Sequence, residues 1–376
     1  MKKARLILLP FSLLLLTGCW DQHLLKDTKL IYAVGMDLVK DEDKVKITTS
    51  IPSIMTASGQ GPPQLESVVY SSIGPSVRGS RNNLDRTISE QINTSKNRVV
   101  LVSKEIAKKD LYAYLDVYYR DPMSNLAAKI IVVDGKASEF LEITPKSEPI
   151  TSKYISDLIT SAEDVSMIPE MNIQYLCSRL FDPGSDALVP YLVKMPGNEM
   201  LKIEGLAMFN ETKYKGYLRS DESMLFTHLA DENSTMNGRI TKKVFKDSTT
   251  KINDYVTVNI EKSKRQLDIH FTPDHEVSVD VTLNLEVSLI EYPRQHVMNQ
   301  SGIADMNARL TKVFTKDAKK VIVKLQQADC DGLGVGRRIM AFYPDQWKKL
   351  NWEKDYPRVR FHTKVNVSVV ESGILS

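Results

Sequence analysis

The chain has 376 residues, 42% of them hydrophobic and 26% charged, with 17 glycines and 16 prolines, a balance that reads as folded and is long enough for two or three domains. Its 50 basic residues include Lys2, Lys3 and Arg5 of a leader expected to be removed, and 50 minus 3 leaves 47 bases against 47 acids. That neutrality excludes a general nucleic-acid binder, which needs an excess of lysine and arginine facing phosphates.

The leader is the first predicted element. Met1-Lys2-Lys3-Ala4-Arg5 gives a basic start, Leu6 to Leu16 an apolar run broken by Pro10, and Leu16-Thr17-Gly18-Cys19 a small-residue ending, the order of a secretory signal peptide. The run is far short of the ~20 residues that cross a bilayer, and no later segment is apolar enough to do so. A cysteine at the cleavage point accepts a diacylglyceryl group, so cleavage between Gly18 and Cys19 and lipid attachment at Cys19 are expected. Two acyl chains hold a protein on a membrane where one would bind marginally. The chain should therefore work at a membrane surface, tethered through Cys19.

Further along, Leu30 to Asp37 and Lys44 to Ile51 read as strands joined by the polar turn Lys40–Asp43. Pro52 to Gln64, with Gly59, Gly61, Pro62 and Pro63, has no apolar period and is expected to be an exposed loop. Glu66 to Ile73 returns to strand, Pro75 to Ile92 has helical spacing, Arg98 to Ser103 reads as a buried strand, Asp110 to Arg120 as a helix, and Ala127 to Val133 as a strand. This alternation points to a mixed α/β arrangement. Tyr112, Tyr114, Tyr118 and Tyr119 on the 110–120 helix read as core and rim rather than a stacking platform. Ile143 to Pro169, with a short helical pattern at Tyr154 to Ile159, is expected to join two domains or form a small one of its own.

The clearest periodicity lies later. Val277, Val279, Val281, Leu283, Leu285, Val287 and Leu289 alternate with polar residues in one long strand; Val256 to Ile260, Leu267 to Phe271 and Val359 to Val369 repeat the pattern. Four strands with one wet face imply an antiparallel sheet. Residues 303–325 space Ile303, Met306, Leu310, Phe314, Val321 and Leu325 as a helix that covers the dry face. Its lysines (Lys312, Lys316, Lys319, Lys320 and Lys324) read as a solvated surface, with anionic lipid as the alternative contact. The fold class is thus α+β and multi-domain: residues 19–198, with a possible small middle unit near 144–198, and residues 199–376, an antiparallel sheet under a long helix. Asp231 to Lys251 reads as a second polar loop, and the two loops are candidate contact surfaces.

Signatures of catalysis are missing. Gly332-Leu333-Gly334-Val335-Gly336 follows a helix and lacks phosphate-loop spacing, so it reads as the loop that ends that helix. His270 and His275 flank a turn with no third ligand nearby, Glu163 and Asp164 read as surface charge, and neither a zinc-hydrolase helix nor a serine-nucleophile turn occurs. No cofactor or metal is expected. Cys177 and Cys330, the cysteines left after Cys19, belong to no Cys-x-x-Cys pair; buried thiols and a single bridge are both open.

Cys19-Trp20-Asp21, the strand carrying Gly35-Met36-Asp37, Glu204-Gly205-Leu206-Ala207-Met208-Phe209 followed by Lys215-Gly216-Tyr217-Leu218, and the terminal order of helix, glycine-rich loop, Pro344-Asp345-Gln346-Trp347 and Trp352 together resemble the C-subunit lipoproteins of bacterial spore germinant receptors, the Ger(x)C family. The resemblance runs from the signal peptide to the C-terminus. It implies a non-enzymatic protein on the outer face of the spore inner membrane, beside an A subunit and an integral-membrane B subunit, in a complex that responds to small nutrients. Related chains often carry a histidine before the strand matching Arg98 to Ser103; here Asn93-Thr94-Ser95-Lys96-Asn97 stands there, so no catalytic or metal role passes through that position. A lipid-anchored solute-binding protein that takes the nutrient directly, with residues 143–169 as its hinge, is the alternative. A cell-wall hydrolase is a third class, disfavoured by the missing signatures.

Overall fold

The computed structural model describes residues 28–371 except 41, 56–62, 144, 146–147, 198–199, 232, 235–237, 247, 249 and 295–299, so the leader, Gly18 and Cys19 lie outside the described residues. Two large sheets share the chain. The first has eight strands: β2 (Ala33–Val39), β3 (Lys44–Met55), β4 (Gln64–Gly74), β6 (Val99–Ser103), β7 (Lys129–Val133), β8 (Leu188–Lys194), β9 (Leu201–Asn210) and β10 (Lys213–Arg219), with short β1 (Thr28–Leu30) and β5 (Gln91–Asn93) paired beside it.

In space the order is β10-β9-β8-β7-β6-β2-β3-β4. The central strands β2, β6, β7 and β8 run parallel and both flanks are antiparallel hairpins. A parallel strand covered on both faces needs apolar residues on both, and Val99, Val100, Leu101 and Val102 are all fully buried.

On one face lie α1 (Val77–Leu84), α2 (Lys104–Ala107), α3 (Leu111–Arg120) and α6 (Ile173–Leu180), packed through Leu84, Ile106, Leu115 and Leu176. The other takes α4 (Ala137–Leu141) and α5 (Thr151–Asp164), and there the same hydrophobic cluster continues into the C-terminal half.

Several expectations change here. Pro52–Met55 and Gln64 are not loop: β3 and β4 pair through Ile54↔Leu65 and Met55↔Gln64, because backbone pairing extends the hairpin although Ile54 and Leu65 are exposed. Only part of Pro75 to Ile92 is helix, the rest being turn and β5. Within the stretch 143–169, α5 packs Ile155 and Ile159 into the cluster under the sheet, as part of the β7-to-β8 crossover. The first sheet also takes in β9 and β10, residues that the sequence places in the second domain.

The second sheet holds β11 (Asn233–Ser234), β12 (Gly238–Lys243), β13 (Tyr255–Phe271), β14 (Val277–Glu291) and β15 (Arg360–Glu371). The stretch 231–251 read as loop thus contains two strands; β12 escapes notice because Ile240 is its one large apolar residue. The segments around Val258 and Ile269 are a single strand of 17 residues. Their apolar positions fall on even numbers before Ile260 and odd numbers from Leu267. A bulge between Ile260 and Lys262 absorbs the extra residue and keeps one face dry.

Helix α7 (Ser220–Ala230) joins the two sheets, and α8 (Gln300–Gln327) covers the second as expected, burying Met306, Leu310, Phe314, Val321 and Leu325. The sheet is antiparallel except at β14 and β15, which pair in parallel. The antiparallel expectation fails there because a long crossover helix returns the chain to the end from which β14 started.

Helix α8 also covers the free edge of β15. The Val365, Val367 and Val369 amides donate to Thr315 Oγ1, Thr311 Oγ1 and Asn307 Oδ1 at 3.0, 3.0 and 2.9 Å. Four helical residues rise ~6 Å and two strand residues ~6.6 Å, so one polar side chain per helical turn meets every second amide. Exposed edges recruit other strands. Thr311→Val with Thr315→Val is expected to lower the unfolding free energy by about 2–4 kcal/mol and to promote concentration-dependent association. An unchanged denaturation midpoint would refute the role.

Candidate functional site: a buried carboxylate joint

Two of the sequence motifs become intelligible as packing devices. Asp37, 3% exposed at the end of β2, accepts the Ala137 and Ser138 amides at 2.6 and 2.9 Å and so caps α4. Gly35 lets α4 approach, since a Cβ there would lie 3.1 Å from that of Ala137.

The second device joins the two halves of the chain. After α8 the chain turns through Cys330-Asp331-Gly332-Leu333-Gly334 into α9 (Val335–Phe342), followed by the short helices α10 (Pro344–Trp347) and α11 (Trp352–Asp355). Asp331 is 1% exposed and accepts from Val335 N at 2.9 Å, Gly336 N at 2.8 Å and Trp352 Nε1 at 3.1 Å. Gly336 is required by this closeness: a Cβ would sit 2.4 Å from Trp352 Nε1.

From the first half, Asp186 accepts from the Asp331 and Glu211 amides, both at 2.7 Å, and its own amide donates to the Asp331 carbonyl at 3.0 Å. Arg337 N donates to the Gly184 carbonyl at 2.6 Å, Asn210 Nδ2 to that of Asp329 at 2.8 Å, and Tyr356 Oη to that of Cys330 at 2.7 Å.

Burial, with the nearby Asp186 adding to it, pushes the Asp331 carboxyl up to about 7, and burial, with Glu211 and Asp182 adding to it, pushes that of Asp186 up to about 6, against five N–H donors that favour the ionised forms. Burial prevails because neither carboxylate has an ion-pair partner among the described residues. Beside them lies a cavity of about 250 Å³ walled by Asp182, Asp186 and Glu211 on one side and Trp347, Trp352 and Tyr356 on the other. A carboxyl near neutrality in a cleft has the profile of a general acid. Here the acceptor oxygens are already occupied by the chain's own amides and an indole, which makes the pair a structural clasp.

The residues singled out in the sequence fall elsewhere and do not converge. His270 pairs with Asp280 at 3.2 Å on β13 and His275 occupies the following turn. Among the described residues no group of three or more His, Cys, Asp or Glu side chains is placed to hold a metal. Glu163 points inward to Lys129 at 2.5 Å while Asp164 is exposed, so this acid pair is split and Glu163 is not surface charge.

Tyr118 is buried, Tyr112 meets Phe181 edge-on at 4.6 Å, and Tyr119 donates to the Ile173 carbonyl, a core-and-rim arrangement. Asn93 ends β5, and Thr94 to Asn97 lie in the turn that leads to β6. Cys177 and Cys330 are free, buried in different hydrophobic clusters, and both thiols are pushed up by burial. The long helix already ends at Gln327, and of Gly332 to Gly336 the last two residues open α9; the stretch forms the joint, a role that spacing alone did not suggest. Asp331 carried one sequence signal, an acid shortly before a helix start; Asp186 carried none.

Comparison with known proteins agrees with this architecture. The description "Spore germination protein N-terminal domain" matches residues 21–194 and "Spore germination B3/ GerAC like, C-terminal" matches residues 204–373. Full-length relatives include spore germination protein GerQC of Bacillus cereus, 22% identical over 98% of this chain and 99% of that one. Spore germination protein KC of Bacillus subtilis is 24% identical over 98% and 95%, and spore germination protein A3 of the same organism 22% over 99% and 98%. The crystal structure of the GerBC protein superposes with a TM-score of 0.55 at 16% identity, covering 92% of this chain and 99% of that one. The chain belongs to the Ger(x)C family of spore germination proteins. Its role is therefore that of a receptor subunit in spore germination.

Proposed function

We propose that the chain is a lipid-anchored, non-catalytic subunit of a nutrient germinant receptor. It is held on the outer face of the spore inner membrane by a diacylglyceryl group at Cys19, beside an A subunit and an integral-membrane B subunit. The observation that carries this reading is the end-to-end match to germination proteins, in a fold whose buried acids at the candidate site are engaged by its own N–H groups. Among the described residues no helix is long and apolar enough to cross a membrane, which fits attachment through lipid. Confinement to a plane raises the effective concentration of the folded part near membrane partners and lets modest interfaces suffice.

Cys19→Ala is expected to move the protein from the membrane to the soluble fraction of spore extracts and to slow nutrient-triggered germination. Full membrane retention with normal germination would overturn the lipid-anchor reading.

A further inference from the structure

Helix α8 carries charge that the fold leaves uncompensated in one place. Its inward side is spent on the core through Met306, Leu310, Phe314, Ala318, Val321 and Leu325. On the outward side, ion pairs answer Arg309 (Asp305, 2.7 Å), Lys320 (Asp317, 3.1 Å) and Lys324 (Glu222, 2.6 Å). Lys312, Lys316 and Lys319 lie exposed between them, and no acid among the described residues pairs with any of the three.

Steps of four and three residues keep these lysines on one stripe spanning ~10 Å of helix axis. The balance of 47 bases and 47 acids after the leader makes this a local concentration rather than a property of the whole chain.

We propose that this stripe docks on anionic phospholipid headgroups. Charge complementarity names an anionic partner, and the residue types choose among anions. Protein interfaces are depleted in lysine and centre on tyrosine, tryptophan and arginine. The stripe has no aromatic, and Val323 is its exposed large apolar residue. Because the apolar face of α8 is buried in the protein, the helix adheres without inserting, so the contact is electrostatic and salt-sensitive.

Each lysine near an anionic bilayer strengthens partitioning about fivefold, so the three together supply about a hundredfold. This contact is independent of the acyl group proposed at Cys19, and the test is run without that group so that the two readings fail separately.

Residues 20–376 retain every described element and lack Cys19. Sedimented with phosphatidylcholine vesicles containing phosphatidylglycerol, this protein is expected to bind at low salt and release at high salt, and to ignore vesicles of phosphatidylcholine alone. Lys312→Gln, Lys316→Gln and Lys319→Gln together should weaken partitioning about a hundredfold. The three Lys→Arg replacements should preserve it. So should the charge-matched control Lys213→Gln, Lys215→Gln and Lys354→Gln, at positions exposed elsewhere. Absence of binding by the parent protein, equal loss in both glutamine triples, or binding to neutral vesicles would overturn the proposal. So would stripe-dependent capture of an acidic protein without vesicle binding, which would assign the surface to a protein partner.

Discussion

Asp331→Ala is expected to be the most damaging single substitution at the joint, lowering unfolding free energy by about 3–5 kcal/mol. It strips acceptors from the Val335 and Gly336 amides and from the Trp352 indole, all of them buried. The contacts of Asp186 with residue 331 run through the backbone and survive the substitution. Asp331→Asn keeps one acceptor oxygen and should lose roughly half as much. Chemical denaturation measures both, and a loss under about 1 kcal/mol for the alanine variant would show that water replaces the carboxylate without cost.

The same carboxyl should give the protein an unusual dependence on pH. Its folded value of about 7, and that of about 6 for Asp186, exceed the ordinary carboxylate value near 3.8. The folded state therefore binds protons more tightly than the unfolded chain between about pH 4 and 7. Whatever stability these groups lend is complete below pH 4 and lost as pH rises through the folded values, with a slope approaching about 1.4 kcal/mol per pH unit for one extra proton.

His228 opposes this. Burial lowers its imidazole to about 4, so its contribution rises with pH between about 4 and 6.5. The difference curve between the parent protein and Asp331→Asn isolates the carboxyl: relative to the parent, the variant should gain stability steadily from pH 4.5 to 7. A flat difference would mean that the N–H donors hold Asp331 ionised throughout.

What could be read from sequence was whatever repeats locally. The alternation from Val277 to Leu289 and the stepping from Met306 to Leu325 each reflect one face meeting one core, and both gave the correct element. The parallel pairing of β15 was not legible, because alternation is blind to strand direction. Nor was β12, whose inward residues are Gly238, Ile240 and Lys242, the last packed in the ion pair with Asp317 rather than among apolar neighbours.

The joint lay deepest. Asp186 and Asp331 are 145 residues apart and Asp37 caps a helix 100 residues away, so their partners exist only once the chain has folded. The family motifs at Gly35-Met36-Asp37 and Gly332 to Gly336 marked both places without disclosing what either does.

The parallel pairing of β15 also dictates an order of events during biogenesis. Because β15 is the last described strand, nothing synthesised earlier can shield the outer edge of β14, and α8 has no strand end to clasp until residues 360–371 have emerged. The C-terminal sheet therefore stays unfinished until residues 360–371 have been made. This also makes premature termination costly: a chain ending before Arg360 would leave bare the β14 edge that pairs with β15, an invitation to proteolysis or strand-to-strand association.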